Sequence, residues 1–428
     1  MKKIYIISLG CHKNLVDSET IAGILASKNY VLTATLKDSD VIIINTCAFI
    51  DSAKKEAFAT IEDIISRKSK YQKLIVCGCL PQLEKNNLLK KYPNIDAVLG
   101  SADFSRISEV ITGLYNSRPY ISQVLNPKFI ISNEPKIFST PKSYAYIKIA
   151  EGCNNRCNYC IIPKLRGNFR SRKMEDVLND VRNAVLTGRK EVILIGQDIT
   201  MYGIDIYKKQ MLHILLNKIS KIQDLKWVRL LYTHPGHFTD ELISTIAENE
   251  KICKYIDLPI QHTVDAVLKG MGRPASNTIF NTIEKLKKKL PDITLRTTIM
   301  VGFPGETDEY FQKLLKDINS LDFNWLGSFM FSKERGTKAY NLKDTLSFKI
   351  KQERYNELMK VQQQITLRKN REKIGKKMYV LADTSQFGHC EFQAPEIDGK
   401  ILFSSEQEIG NIKKHIIKQV KDVYDLKV

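Results

Sequence analysis

Short apolar runs alternate with segments of helical periodicity over the first 118 residues. The apolar runs have the length of strands buried in a parallel sheet, and the segments between them repeat apolar residues every three or four positions. The predicted strands are Lys3–Leu9, Val41–Asn45 and Leu74–Cys77, and the predicted helices are Leu15–Ser27 and Ser52–Arg67, with Ser52 as the N-cap of the second. This βαβ order predicts a small doubly wound parallel-sheet domain over residues 1–118.

Residues 143–345 repeat the alternation more regularly, after a stretch (119–142) with four prolines in 23 residues that we expect to be a linker. The predicted strands are Tyr144–Ile149, Glu191–Ile195, Trp227–Tyr232, Tyr255–Leu258, Leu295–Val301 and Trp325–Phe331. The predicted helices are Met174–Thr187, Thr239–Ala247, Ser276–Leu290, Tyr310–Leu321 and a long polar one over 347–372. Right-handed crossovers curl such a sheet toward closure, so an open (β/α) barrel over 143–372 is expected.

The last 56 residues, 373–428, change character. Their predicted strands are Met378–Ala382, Glu391–Gln393, Lys400–Phe403 and Gln419–Leu426, with no comparable helix between them. This pattern predicts a small β-barrel. The expected fold class is therefore α/β, with a doubly wound N-terminal domain, a central open barrel and a C-terminal β-barrel.

Composition and charge exclude several broad classes of protein. Of the 428 residues 43% are hydrophobic and 26% charged, which is ordinary for a globular protein and excludes wholesale disorder. No run of 18 apolar residues predicts a membrane span, and Ile4–Ile7 is too short for the core of a signal peptide, so we expect a cytoplasmic protein with reduced thiols. The net charge is +19, of which +14 falls in 119–372; it indicates either a solvated basic surface or attraction to an acidic partner.

Three cysteines form the motif Cys153-x3-Cys157-x2-Cys160, just after the first predicted barrel strand. Three thiolates in so tight a loop have no core to occupy, and structural zinc would normally take a fourth protein ligand. An iron–sulfur cube held by three thiolates leaves one iron open to an external ligand. The spacing favours such a cluster over zinc, and it suits binding and reductive cleavage of S-adenosylmethionine (AdoMet).

Three further cysteines, Cys11, Cys47 and Cys79, each follow a predicted strand of the N-terminal domain. The carboxyl ends of parallel strands meet in one crevice, so a second three-thiolate site is expected there, against the alternative of three scattered buried thiols. Cys77 lies two residues from Cys79, on the same side of an extended strand, and is an alternative ligand. The remaining Cys253 and Cys390 stand alone and are expected to be structural.

The cysteine motif, with Tyr159 before its last cysteine, resembles that of the radical AdoMet enzymes. The runs Ala145–Arg172 and Thr297–Thr307 resemble the methylthiotransferase branch, and the resemblance covers nearly the whole chain. It implies two 4Fe-4S clusters, an auxiliary one on Cys11, Cys47 and Cys79 and an AdoMet-binding one on Cys153, Cys157 and Cys160. Cys79 is preferred to Cys77 because the context Gly78-Cys79-Leu80 matches the family ligand.

The same resemblance implies the reaction. One AdoMet would give a 5′-deoxyadenosyl radical, able to remove hydrogen from an unactivated carbon, and a second would donate the methyl group. The sulfur would be delivered at the auxiliary cluster. Five residues near the expected mouth of the barrel are candidate AdoMet contacts, although a water-facing or capping role is the alternative for each: Tyr159, Gln197, Gln261, Arg296 and Gly302.

The family has two main substrate classes, an adenosine in transfer RNA and the β-carbon of an aspartate in small-subunit ribosomal protein twelve. The run Gln393–Gly399, in a barrel that resembles a TRAM domain, is similar to the protein-modifying class. We expect Glu396 and Asp398 to be exposed on a turn, which suits a basic protein better than a phosphate backbone.

Matching runs at Ser8–Asp17, Asn45–Ala53 and Asp257–His262 also favour the protein-modifying class. Transfer RNA is the alternative substrate, and a metal-stabilised binding module without activity is a third hypothesis. The expected partners are a ribosomal protein, free or on the ribosome, an electron donor and a sulfur source. We expect a monomer with no membrane association.

Overall fold

The structure is a computed structural model that describes residues 1–116, 121–124, 127 and 130–428. The chain forms two compact units, one of residues 1–139, 150–156 and 160–176 and one of 140–149, 157–159 and 177–428. Part of the predicted linker, including Pro119, lies outside the described residues. Within the described chain, no helix combines the length and the apolar character that crossing a membrane requires.

Six parallel strands form the sheet of the first unit, in the order β2-β1-β3-β4-β5-β6. The elements are β1 (Lys3–Ser8), α1 (His12–Ser27), β2 (Val31–Leu32), β3 (Val41–Thr46), α2 (Asp51–Arg67), β4 (Lys73–Gly78), α3 (Cys79–Glu84), α4 (Asn86–Lys91), β5 (Ala97–Leu99), α5 (Ile107–Tyr115) and β6 (Ile121–Gln123). Strand β3 is buried along its whole length, as in a sheet covered on both faces. The predicted doubly wound sheet is confirmed.

Two details of the N-terminal prediction are wrong. Helix α2 begins at Asp51 after Ile50, whose side chain caps nothing, so Ser52 lies inside the helix and is not its N-cap. The predicted linker also contributes strand β6, which pairs with β5 at the edge of the sheet. A three-residue edge strand is too short to show the alternation by which strands are recognised in sequence.

The elements from residue 144 to 371 follow the predicted strand–helix repeat. They are β7 (Tyr144–Lys148), β8 (Ala150–Glu151), α6 (Ile162–Arg166), β9 (Arg170–Ser171), α7 (Met174–Leu186), β10 (Glu191–Ile195), α8 (Leu212–Ile219), β11 (Trp227–Leu230), α9 (Asp240–Glu248), β12 (Ile252–Asp257), α10 (Asp265–Met271), α11 (Ser276–Lys289), β13 (Thr294–Val301), α12 (Asp308–Leu321), β14 (Trp325–Met330) and α13 (Phe348–Arg371). Six of these strands form a parallel sheet in the order β14-β13-β12-β11-β10-β7, so the predicted open barrel is confirmed. Strands β8 and β9 pair with each other in the first unit.

Six short strands complete the second unit: β15 (Lys377–Ala382), β16 (Phe387–Cys390), β17 (Ile401–Leu402), β18 (Ile412–Ile416), β19 (Gln419–Val420) and β20 (Leu426–Lys427). They form a curled half-barrel in the order β18-β15-β16-β17-β20-β19. The predicted strand Glu391–Gln393 is wrong, because this segment is a loop whose carbonyls bond to the central barrel. Arg229 Nη1 donates to Glu391 O (2.6 Å) and Trp325 Nε1 donates to Phe392 O (2.8 Å).

Candidate metal centres

Three cysteines meet at the carboxyl edge of the N-terminal sheet. Cys11 precedes α1, Cys47 follows β3 and Cys79 is the first residue of α3. The loops approach closely because Gly10 has a left-handed φ of +87° and a Cβ there would lie 2.3 Å from Cys47 Cβ. The charge of Cys11 also acts on both other thiols. The structure thus brings together the three N-terminal cysteines, and their role as ligands stays a prediction.

The environment of these thiols depends on burial and on two cations. Burial and the charges of the other two cysteines raise the pKa of Cys47 to about 12, and burial raises the pKa of Cys79. Burial alone would also raise the pKa of Cys11, but the charges of Lys13 and Arg166 outweigh it and the pKa is lowered. Cys11 is therefore the thiol of the three that gives up its proton most readily.

Cys77 is separated from this group by a turn. Gly78, with φ +96°, ends β4, and Cys79 belongs to the following helix. The prediction that Cys77 and Cys79 share one side of an extended strand is therefore wrong. Cys77 remains inside the strand, fully buried, and burial raises its pKa well above the ordinary value.

The loop of the second cysteine set is fixed by backbone bonds, and its three thiols are partly exposed. In the first unit the Cys153 N–H donates to Gly167 O (3.2 Å), and the Asn155 N–H donates to Cys153 Sγ (3.5 Å). In the second unit Arg273 Nη1 lies 3.9 Å from Cys157 Sγ. Partly exposed thiols leave room for a cofactor beside this loop.

Two of the five predicted AdoMet contacts have surroundings that suit a ligand. Tyr159 packs against an apolar cluster that includes Met300 and Phe303. Gln261 is buried, has φ +71°, and its Oε1 has no hydrogen-bond partner among the described residues. A buried polar atom without a partner is costly, so Gln261 is a good candidate to receive a hydrogen bond from a bound molecule. Gln197 is half-buried just beyond β10.

Arg296 and Gly302 have other roles in the fold. Arg296 is the third residue of β13, and its guanidinium pairs with Asp257 (2.8 Å) and Asp398 (3.6 Å), while its contact with AdoMet stays a prediction. A Cβ on Gly302 would lie 2.5 Å from Lys351 Cγ, so the missing side chain makes room for that lysine. The close approach of adenine to the backbone of this glycine stays a prediction.

Sequence reasoning missed Arg273 as a candidate. Its side chain is half-buried, its Nη2 donates to Pro259 O (2.5 Å), and its buried Nε has no partner among the described residues. The signal was present in the run Gly270-Met271-Gly272-Arg273-Pro274, where the left-handed Gly272 ends α10 and turns the chain. An arginine placed there beside Cys157 offers a fixed positive charge.

A polar group at the carboxyl ends of β10 and β11 consists of Asp198, His234 and His237, of which sequence reasoning missed His237. Asp198 Oδ2 lies 2.8 Å from His237 Nδ1, and the two imidazole rings stack at 4.3 Å. His234 Nδ1 accepts the Gly236 N–H and so stabilises the turn that follows at Pro235. Burial lowers the pKa of His234 to about 2, so this imidazole is neutral at physiological pH.

The N-terminal cysteine set fits an iron–sulfur cluster better than a single ion. Among the described residues, the one group whose ligand atoms all lie within 4.8 Å of one another is Asp198, His234 and His237. Cys11, Cys47 and Cys79 therefore spread more widely than three sulfurs 2.3 Å from one zinc ion would. They provide three thiol donors beside fixed positive charge, the chemistry that suits a larger anionic cluster.

Comparison with known proteins identifies both halves of the chain. Residues 3–100 match an uncharacterized protein family, UPF0004, and residues 147–318 match the radical SAM superfamily. A protein of Thermoanaerobacter sp. (strain X514) is 42% identical over 99% of this chain and 98% of its own length, and one of Caldanaerobacter subterraneus subsp. tengcongensis is 44% identical over 96% and 95%. Both are named ribosomal protein uS12 methylthiotransferase RimO.

Solved structures share the fold at low sequence identity. The radical S-adenosylmethionine methyltransferase TsrM from Kitasatospora setae matches with a TM-score of 0.61 at 14% identity, over 79% of this chain and 76% of its own. The cobalamin-dependent radical enzyme OxsB matches with a TM-score of 0.55 at 11% identity, over 85% and 56%. The chain therefore belongs to the RimO family of radical AdoMet methylthiotransferases, enzymes that use AdoMet and 4Fe-4S clusters.

Proposed function

We propose that this chain transfers a methylthio group to the β-carbon of an aspartate in ribosomal protein uS12. The observation that carries the proposal is the presence of two three-cysteine sets on one chain, one meeting at the edge of the N-terminal sheet and one in the Cys153–Cys160 motif. Relatives that are 42–44% identical and named for uS12 support the choice of substrate.

The two sets have different roles in this proposal. Cys153, Cys157 and Cys160 hold the cluster that contacts AdoMet, and Cys11, Cys47 and Cys79 hold the auxiliary cluster at which sulfur is delivered. When bound, the cluster on Cys153, Cys157 and Cys160 would supply the electron that cleaves one AdoMet to a carbon radical, the auxiliary cluster would hold the sulfur, and a second AdoMet would supply the methyl group. The side chains of the protein bind and orient AdoMet and shield the radical from water.

The residues near Cys157 perform that part. Arg273 is a fixed cation with an unused N–H, suited to the carboxylate of AdoMet. Gln261 provides an unused acceptor oxygen for a hydroxyl or amino group. Tyr159 lies against the apolar cluster with Met300 and Phe303, which keeps water away from a reactive radical.

The substrate is tested by mass spectrometry of ribosomal proteins and transfer RNA from cells with and without the gene. We expect uS12 to lose a mass matching one methylthio group when the gene is absent, and tandem fragmentation to place that mass on an aspartate. Loss of methylthio-adenosine from transfer RNA with uS12 unchanged would instead support the alternative substrate and overturn the proposal.

The division of labour is tested by two triple variants, assayed for iron, sulfide and AdoMet cleavage after anaerobic reconstitution. Replacing Cys153, Cys157 and Cys160 with Ala should halve the iron and abolish cleavage. Replacing Cys11, Cys47 and Cys79 should also halve the iron but leave cleavage intact, while stopping methylthio transfer. Loss of cleavage in the second variant with its fold preserved would contradict the assignment, and about one zinc with no sulfide in the wild type would contradict both clusters.

A further inference from the structure

A buried arginine stands beside the cysteines of the N-terminal sheet. Arg166 is the last residue of α6, and its side chain is 3% exposed. Its Nη1 donates to Asp17 Oδ2 at 2.7 Å and lies 3.3 Å from Glu151 Oε2, and its Nη2 donates to Asn14 Oδ1. Burying a guanidinium costs desolvation free energy unless several partners compensate for it. The three partners of Arg166 provide that compensation.

Asn14 connects Arg166 to two of the cysteine loops. Its Nδ2 donates to Leu9 O and to Thr46 O, both at 3.0 Å. Leu9 lies two positions before Cys11, and Thr46 immediately precedes Cys47. A change at the guanidinium is thereby transmitted to both loops through one side chain.

The charge of Arg166 acts on all three cysteines of this sheet edge. It works to lower the pKa of Cys11, Cys47 and Cys79 against the effect of burial. Arginine keeps its charge at any physiological pH, so this is a permanent positive charge within reach of all three thiols. Asp17 opposes it, because its carboxylate pairs with Arg166 and its charge raises the pKa of Cys79.

We propose that Arg166 is a positioning residue of this site, which holds the loops of Cys11 and Cys47 through Asn14 and raises the reduction potential of the auxiliary cluster, with Asp17 as the opposing charge. The inference rests on the proposed function, which places that cluster on Cys11, Cys47 and Cys79. A reduced cluster carries one more negative charge than an oxidised one, so a nearby cation stabilises it and a nearby anion destabilises it. Hydrogen bonds to the cluster sulfurs act in the same direction as the cation.

The test is a redox titration followed by electron paramagnetic resonance. The parent is the full chain with Cys153, Cys157 and Cys160 replaced by Ala, which retains only the N-terminal cysteine set. In this parent Arg166→Gln should shift the midpoint potential to more negative values, and Asp17→Asn should shift it to more positive values. Arg166→Lys keeps the positive charge, so its midpoint potential should lie closer to that of the parent than the midpoint potential of Arg166→Gln does.

Lys164→Gln is the matched control, since Lys164 is an exposed cation on the same helix and its loss should leave the potential unchanged. Unchanged potential in Arg166→Gln with iron retained, or shifts of the same sign in Arg166→Gln and Asp17→Asn, would overturn the inference. If Arg166→Gln does not retain iron, the other two variants decide. The inference then requires a more positive midpoint potential in Asp17→Asn and a midpoint potential near that of the parent in Arg166→Lys. A parent without iron would instead overturn the proposed function.

Discussion

At the scale of single residues, Gly10 decides how closely the first two cysteine loops approach. Its φ of +87° is strained for any side chain, and a Cβ would meet Cys47 Cβ at 2.3 Å and Cys47 Sγ at 3.0 Å. We expect Gly10→Ala to displace Cys47 and to reduce the iron held by the N-terminal set. The measurement is iron and sulfide content after reconstitution of the chain that lacks Cys153, Cys157 and Cys160.

Gly188→Ala separates the two effects of that substitution. Gly188 has a similar φ of +93°, but a Cβ there would meet nothing within 4 Å. It should therefore cost stability of the order of 1 kcal/mol without loss of iron. Full iron in Gly10→Ala would show that the contact with Cys47 does not control the site.

At the scale of elements, strand-to-helix turns place the N-terminal cysteines. Cys11 stands at the N-terminus of α1, where the backbone N–H groups of Lys13 and Asn14 favour its thiolate. Cys79 opens α3 after the turn at Gly78. The expectation that residues beyond parallel strands meet at one edge rests on topology alone, which is why it could be made from sequence.

Elements with strong local signals were predicted closely, and weakly marked ones were not. Helices α9, α12 and α13 begin after Thr239, Thr307 and Ser347, whose side chains accept the expected capping hydrogen bonds. Strands β6 and β18 were missed, because short edge strands with mixed polarity show no clear period.

At the scale of the whole molecule, the C-terminal half-barrel docks on the central barrel within the second unit. Each of six barrel strands offers one polar side chain to residues 389–398, namely Tyr146, Glu191, Arg229, Tyr255, Arg296 and Trp325. Asp398 is part of this contact, and burial raises its pKa to about 6. The prediction that Asp398 is exposed on an acidic turn is therefore wrong, whereas Glu396 is exposed as predicted.

His389 makes this docking dependent on pH. Its Nδ1 lies 2.8 Å from Asp383 Oδ2 and its Nε2 2.5 Å from Glu191 Oε2, and the other groups facing it are Tyr144, Trp227, Arg229 and Cys390. Burial alone would lower the pKa of His389, but the two carboxylates raise it to about 9. The pKa of His389 in the folded state exceeds the value of about 6.5 in the unfolded state. The stabilisation of the folded state by this histidine is therefore complete below pH 6.5 and is lost as the pH rises through about 9.

We expect the free energy of unfolding to fall by roughly 3 kcal/mol between pH 6 and pH 10 because of this histidine. Urea midpoints across that range measure the fall in the wild type, in His389→Gln and in the control His213→Gln on helix α8. The slope should flatten in His389→Gln and persist in the control. Equal slopes in all three proteins would rule out His389 as the cause.

The sequence by itself determined the strand–helix alternation, the two cysteine sets and the family, because buried strands, capped helices and ligand spacings are local in the chain. Only the tertiary structure decided that Arg166 of α6 pairs with Asp17, that Asn14 donates to Thr46 O beside Cys47, and that Arg296 pairs with Asp398. Each of these depends on side chains far apart in sequence, whose meeting is set by turns and packing. No local pattern marks the partner of a buried charge until the fold brings the two together.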